Sequence, residues 1–368
     1  MSSMTMKFWK GKTVLLTGHT GFKGSWLSLW LQSLGVNLIG YSLAPATFPN
    51  LFEITQLHKG MINIISDIRD YESLQAVIQK YQPEIIIHMA AQSLVRYSYQ
   101  VPVETYSTNI MGTINLLEVA RLTENVRVVV NITSDKCYEN TEINKKFCEK
   151  DRLGGYDPYS NSKACSELIT QTYRDVFFKE RGVGVATARA GNVIGGGDWA
   201  KDRLVPDVLT ACIKQENILL RYPDALRPWQ HVLQPLYGYL SLAERLYFEP
   251  EDYSEGWNFG PESKDIKPVS WVTEYLIRMS KSSIKWILDK NKHLHEASTL
   301  HLDCSKAKAR LDWVSIWNLE TGLQKTIEWF DAYQQGMSMF DKTLSQINQF
   351  TSEWNLIQKE IYKEILND

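Results

Sequence analysis

Apolar runs of strand length recur through the first half of the chain at Thr13–Thr17, Leu38–Ser42, Glu84–Met89, Val126–Ile132 and Val183–Arg189, separated by longer segments with helical spacing. Strands alternating with amphipathic helices predict parallel βαβ units. The runs EIIIHM and VRVVVNI are apolar nearly throughout, as in strands covered on both faces, and belong in the middle of a sheet. Thr108–Leu122 and Tyr159–Phe178 read as long helices. From Gly195 the alternation gives way to Gly195-Gly196-Gly197, prolines, aromatic turns and shorter helices. The pattern therefore divides the chain into a regular α/β part, residues 1–190, and a part mainly for substrate, 191–368. A strand at Gly256–Phe259 is able to return to the main sheet.

Composition narrows the class without naming it. The 368 residues are 44% hydrophobic, enough for a sizeable core, and 40 Lys plus Arg against 42 Asp plus Glu leave a net charge of −2. Such a balance points to neither nucleic acid nor a membrane surface. The start MSSMTMKFWKGK lacks the apolar core of a signal peptide, and no apolar run approaches the roughly 20 residues that span a bilayer, so a cytoplasmic protein is expected. Cys137, Cys148, Cys165, Cys212 and Cys304 are odd in number and include no C-x-x-C pair, which argues against a disulfide framework and a structural zinc. His293, His295 and His301 lie close in sequence, but no Cys or carboxylate stands at a typical ligand spacing around them, so no metal is expected.

Strand Thr13–Thr17 runs straight into Gly18-His19-Thr20-Gly21-Phe22-Lys23-Gly24, after which a helix opens. Glycines three apart let the backbone turn tightly against a pyrophosphate, whose charge meets the helix N-terminus. At the first strand–helix junction of a βαβ chain, this turn predicts a Rossmann dinucleotide site, a doubly wound parallel sheet, with Gly18, His19, Gly21, Phe22, Lys23 and Gly24 on the cofactor. The second strand ends in Gly40-Tyr41-Ser42 without the acid that often holds the ribose hydroxyls of NAD, and without the Arg that suggests NADP; His19 and Lys23 lend cationic character instead. Asp67 and Ile68 are placed to receive the adenine edge, a plain loop being the other reading of that Asp. Ala90, Ala91 and Gln92 end a strand with small residues, which suits close approach by the cofactor and equally suits helix–sheet packing.

Two later segments carry the reacting groups. Thr133-Ser134-Asp135-Lys136-Cys137-Tyr138 ends a buried strand, and Tyr159-Ser160-Asn161-Ser162-Lys163 lies on a helix, where a spacing of four puts Tyr159 and Lys163 on one face. A phenol near pKa 10 is a poor base, but a Lys ammonium and a cationic nicotinamide favour the phenolate, so Tyr159 is able to take a hydroxyl proton while hydride leaves the same carbon. Ser134 would hold that oxygen. Asp135 reads alternatively as a strand-end cap.

The glycine turn, His88–Gln92, Thr133–Tyr138 and Tyr159–Lys163 together resemble the extended short-chain dehydrogenase/reductase family, over nearly the whole chain. The resemblance implies a Rossmann domain, a smaller C-terminal domain binding a nucleotide sugar, NAD as cofactor, and pairing through the two long helices into a homodimer or homotetramer. Where the family's dTDP-glucose and GDP-mannose dehydratases carry Thr-Asp-Glu, this chain has Ser134-Asp135-Lys136, similar to the members that act on CDP-glucose. So are Arg189–Trp199, Arg227–Val232, Gly256–Pro261 and Leu302–Lys308. These imply a hydro-lyase feeding deoxysugar and O-antigen synthesis: Tyr159 and Lys163 serve C4 oxidation, Asp135 and Lys136 an elimination across C5 and C6, and hydride returns to C6. For the substrate, Arg227 is the first candidate for the diphosphate, with Arg203 and Arg221 after it against solvated or structural roles, and Asn192 resembles a family residue that touches the sugar nucleotide. An epimerase or decarboxylase would need Tyr159 and Lys163 but not Asp135-Lys136; a non-catalytic NAD-binding sensor or scaffold would need neither pair.

Overall fold

In the computed structural model, which describes residues 6–140, 145–291, 293–294 and 299–367, seven strands form one parallel sheet. They are β1 (Thr13–Thr17), β2 (Asn37–Ser42), β3 (Ile62–Ile65), β4 (Ile85–His88), β5 (Val128–Ile132), β6 (Gly184–Ala190) and β7 (Gly256–Phe259). Their spatial order is β7-β6-β5-β4-β1-β2-β3, all neighbours parallel. The order reverses between β1 and β4, so a crevice opens at their carboxyl ends.

Helices cover both faces because the central strands are apolar on both. Val14, Leu16, Ile85, Ile87, Val128 and Val130 pack into one core, and the intervening Leu15, Ile86 and Val129 into the other. The period-2 geometry of a strand thus splits a continuous apolar run between two layers. The anticipated return is present: β7 pairs with β6 from Gly256↔Thr187 to Phe259↔Ala190.

The expected strands match within a residue or two at their ends, and β3, the least buried, had shown no apolar run of its own. The two long helices differ in detail. The first widens to π geometry over Ser107–Met111 before α1 (Gly112–Arg121), and the second, α2 (Pro158–Tyr173), widens over Arg174–Phe178. After β6 come α3 (Leu204–Lys214), α4 (Leu233–Phe248) and a terminal α5 (Met339–Asn367). The terminal helix lays Phe350 edge-on to Trp30, a residue of the helix that follows the glycine turn, and so ties the end of the chain to its beginning. Among the described residues no helix is long and apolar enough to cross a membrane.

Candidate active site

The glycine turn has the shape that a pyrophosphate requires. Gly18 has φ +74°, and a Cβ there would stand 2.8 Å from Ala90 N and 2.9 Å from Met89 O; at Gly24 a Cβ would stand 2.0 Å from Gly18 O. Both contacts are with backbone, so no side chain is accommodated. Gly21 caps the helix Phe22–Ser33 with no side-chain hydrogen bond, leaving the first-turn amides to meet an anion. Phe22 lies against Gly195, where a Cβ would stand 3.2 Å from its ring. On the far side of the turn, Thr17 Oγ1 accepts from Met89 N and Ala90 N, both at 3.1 Å, and meets His88 Nδ1 at 2.7 Å, which fixes the small residues Ala90 and Ala91 beside Gly18. Gln92 is held by Asn109, whose Oδ1 accepts from its N–H at 2.8 Å.

His19 does not supply the cationic character expected of it. Its ring is buried where Gly40 leaves room, a Cβ there standing 2.5 Å from His19 Cγ, and it bonds Asn63 Oδ1 at 2.7 Å. Burial draws its pKa below the usual histidine value, so the ring is neutral at neutral pH. Ser42, at the end of β2, shares a 2.9 Å hydrogen bond with Thr20. Asp67 is engaged by Arg69 through hydrogen bonds at 2.5–3.0 Å, which keep its carboxylate below the ordinary range, and Ile68 is buried under Gly112. A fitted dinucleotide would thus run from Asp67 and Ile68 past the glycine turn to the ends of β4 and β5.

There the reacting groups converge. Asp157 caps α2 by accepting from Ser160 N at 2.9 Å, and Pro158 starts the helix, which sets Tyr159 in the first turn and Lys163 one turn on. Ser134 caps a single turn, Asp135–Cys137, its Oγ accepting from Lys136 N at 3.2 Å and donating to Asp135 Oδ1 at 3.1 Å. Tyr159 and Ser134 share a hydrogen bond that favours the phenolate, but burial outweighs it and pushes the phenol up to about 12. Lys163 donates to Ile132 O at 3.1 Å; burial draws its ammonium down to about 8, with Glu167 opposing. The chain's own residues therefore leave Tyr159 protonated at neutral pH, and a cationic ring bound beside it would favour the phenolate.

Asp135 is buried, and its Oδ2 has no hydrogen-bond partner among the described residues. A Cβ at Gly191 would stand 3.0 Å from that oxygen and 2.6 Å from Pro228, so no side chain fits there against the carboxylate. Lys136 is half-buried beside it.

The candidate substrate groups divide. Arg203 bonds Asp198 Oδ2 at 2.8 Å and Ser93 Oγ at 3.2 Å, and lies near enough to Tyr159 for its charge to favour the phenolate. Arg227 is buried next to Pro228 and Gly191, on a short strand, Leu226–Pro228, that pairs with Ile266–Pro268. Asn192 accepts from Gln230 N through its carbonyl at 3.0 Å. Arg221 is paired with Asp202 at 2.9 Å. Of the three histidines, His295 lies outside the described residues, and His293 Nε2 sits 3.2 Å from Asp289.

Two features escaped the sequence reading. Lys23 donates to the hydroxyl of Tyr239, on α4, at 3.0 Å; the two face Asp135, and burial together with Lys163 and Arg203 draws the Lys23 ammonium down to about 7. No spacing links residues so far apart. Glu167, on the same helix face as Lys163, forms a buried pair with Arg189 at 2.6 Å; its spacing of four from Lys163 was a usable signal.

The chain is similar to a family model described as GDP-mannose 4,6 dehydratase over residues 15–326. It is 49% identical over 350 residues to a CDP-glucose 4,6-dehydratase of Salmonella typhimurium, covering 94% of this chain and 98% of the relative. Among solved structures, a dTDP-glucose 4,6-dehydratase of Bacillus anthracis in complex with NAD shares the fold with a TM-score of 0.73 at 23% identity, covering 89% of this chain and 99% of that one. A UDP-glucose 4-epimerase of Thermotoga maritima does so with a TM-score of 0.78 at 21% identity, covering 88% and 99%.

Proposed function

The chain belongs to the GDP-mannose 4,6 dehydratase family, within the extended short-chain dehydrogenases/reductases, and from that premise we propose that it dehydrates CDP-glucose to CDP-4-keto-6-deoxyglucose. It is a hydro-lyase that uses NAD. The observation that carries the reading is the meeting, at the ends of β4 and β5, of Tyr159 and Lys163 with Ser134, Asp135 and Lys136, where the buried Asp135 Oδ2 has no hydrogen-bond partner among the described residues.

The glycine turn, Ala90–Gln92 and the Tyr159–Lys163 face would hold NAD, which when bound would supply hydride acceptance at C4 and hydride return at C6. Tyr159 takes the proton of the C4 hydroxyl, and Ser134 holds that oxygen by a hydrogen bond. Lys163, protonated at neutral pH, compensates the phenolate from one turn along the helix. Once C4 is a ketone, the C5 hydrogen is acidic. Lys136 is the base that removes it and, once hydride has returned to C6, gives a proton back to C5, while Asp135 delivers a proton to the departing O6. Arg227 is the first candidate for the two phosphates, with Arg203, paired with Asp198, and Arg221, paired with Asp202, after it, and Asn192 is suited to contact the sugar nucleotide.

Residues 191–368 form, in this reading, most of the nucleotide-sugar part, and 1–190 the dinucleotide part. Two protomers pair through the long helices, a reading supported by exposed Met111, Leu168 and Val176 on them. Five free cysteines suit a reducing, cytoplasmic setting.

Incubation with CDP-, dTDP-, UDP- and GDP-hexoses followed by mass spectrometry tests the proposal. A product lighter by one water should form from CDP-glucose; if CDP-glucose alone is left intact, the assignment fails.

A further inference from the structure

The turn that carries Ser134, Asp135 and Lys136 is anchored at both ends by one buried ion pair. At its start, Thr133 Oγ1 donates to Glu167 Oε1. At its end, the Tyr138 hydroxyl accepts from Arg189 Nη1 at 2.7 Å and donates to Asn258 Oδ1 at 2.7 Å. Glu167 and Arg189 bind each other through two contacts, Nε–Oε1 at 2.9 Å and Nη2–Oε2 at 2.6 Å, and Thr187 Oγ1 donates a further bond to Glu167 at 2.6 Å. Both side chains of the pair are about 5% exposed or less.

A buried pair of this kind is a poor source of net stability, because desolvating two charges offsets their attraction. Its geometry, in contrast, is restrictive: a bidentate guanidinium–carboxylate contact fixes distance and plane together. Glu167 stands one turn beyond Lys163 on α2, while Arg189 is on β6 beside β5, the strand from which the turn emerges. The pair thus refers the turn to the helix that holds Tyr159 and Lys163.

We propose that Glu167 and Arg189 act as positioning residues, a clamp that holds Asp135 and Lys136 in register with Tyr159 for the elimination step, with Thr133 and Tyr138 as its two contacts to the turn. The inference rests on the dehydratase reading above. The two contacts serve different parts of the turn: Tyr138 follows Asp135 and Lys136, and Thr133 precedes Ser134. Loosening Tyr138 displaces the elimination groups while leaving Ser134 and Tyr159 in place for C4 oxidation; loosening Thr133 disturbs both steps.

Tyr138→Phe and Thr133→Val remove one hydroxyl each and leave the ion pair intact. Both should fold, with kcat for CDP-glucose down roughly tenfold or more and KM within twofold, since misplacement of reacting groups acts on the chemical step. In a single turnover Tyr138→Phe should accumulate reduced cofactor, and Thr133→Val should not. Independently of turnover, amide hydrogen exchange across residues 133–138 should speed up in both variants while β1 is unaltered. The clamp is overturned if either folded variant keeps kcat within twofold of the parent, if the loss falls on KM, or if exchange in the turn is unaltered. If Tyr138→Phe does not fold, Thr133→Val decides by the same criteria. A parent protein that leaves CDP-glucose intact defeats the functional reading instead, and the exchange measurement then still decides the clamp.

Discussion

Lys23 donates a 3.0 Å hydrogen bond to the hydroxyl of Tyr239, joining the glycine turn to α4 within reach of the Asp135 charge. Burial draws the Lys23 pKa down to about 7, and that of Lys163 to about 8. Below pH 7 both lysines are protonated in the folded and unfolded chain, and the folded state bears the full cost of the buried cations. Between pH 7 and the unfolded value near 10.5 the folded protein releases protons that the unfolded chain still binds, so stability rises with pH. The melting temperature of the protein without ligands should therefore increase from pH 6.5 to 9, and Lys23→Met should flatten that increase. An equal increase in both proteins would contradict the assignment of Lys23.

Gly24→Ala places a Cβ against the Gly18 carbonyl at 2.0 Å, and the opposing atoms are backbone. The turn must then open. NAD affinity, measured by calorimetry, should fall tenfold or more, a loss of at least about 1.4 kcal/mol; an unaltered affinity would remove the turn from the cofactor site.

The proposed mechanism assigns Asp135 and Lys136 to the elimination and not to the oxidation. Lys136→Met should still oxidise C4 but place no solvent deuterium at C5, and Asp135→Asn should lose turnover by roughly 10²–10⁴-fold, the range for general acid–base groups. Product formation at the parent rate in either variant would take that residue out of the mechanism.

Arg189→Met leaves the Glu167 carboxylate buried without its partner. Unfolding in urea should show a loss of about 3–5 kcal/mol. A loss under about 1 kcal/mol would mean that the carboxylate is compensated from elsewhere.

Much of this was readable because the deciding signals are local. The strands β4 and β5 announce themselves as unbroken apolar runs, and Tyr159 and Lys163 share a face by spacing alone. The glycine turn shows itself by its spacing, with Gly24 against the Gly18 carbonyl six residues back. What stayed hidden depends on contacts between distant segments: Lys23 with Tyr239 across 216 positions, and Tyr138 with Asn258 across 120. His19 looked cationic because a sequence shows the residue type and not the burial that Gly40 makes room for. The missing acid at Ser42 likewise acquires meaning only when Thr20 is seen to bond it.

The most direct test of the account is turnover of CDP-glucose by the unaltered protein in deuterium oxide, with the product read by mass spectrometry and NMR. The account predicts a 4-keto-6-deoxy product lighter by one water and carrying one solvent deuterium at C5. Recovery of CDP-glucose unchanged or merely epimerised at C4, under conditions in which another nucleotide's hexose is dehydrated, would contradict it.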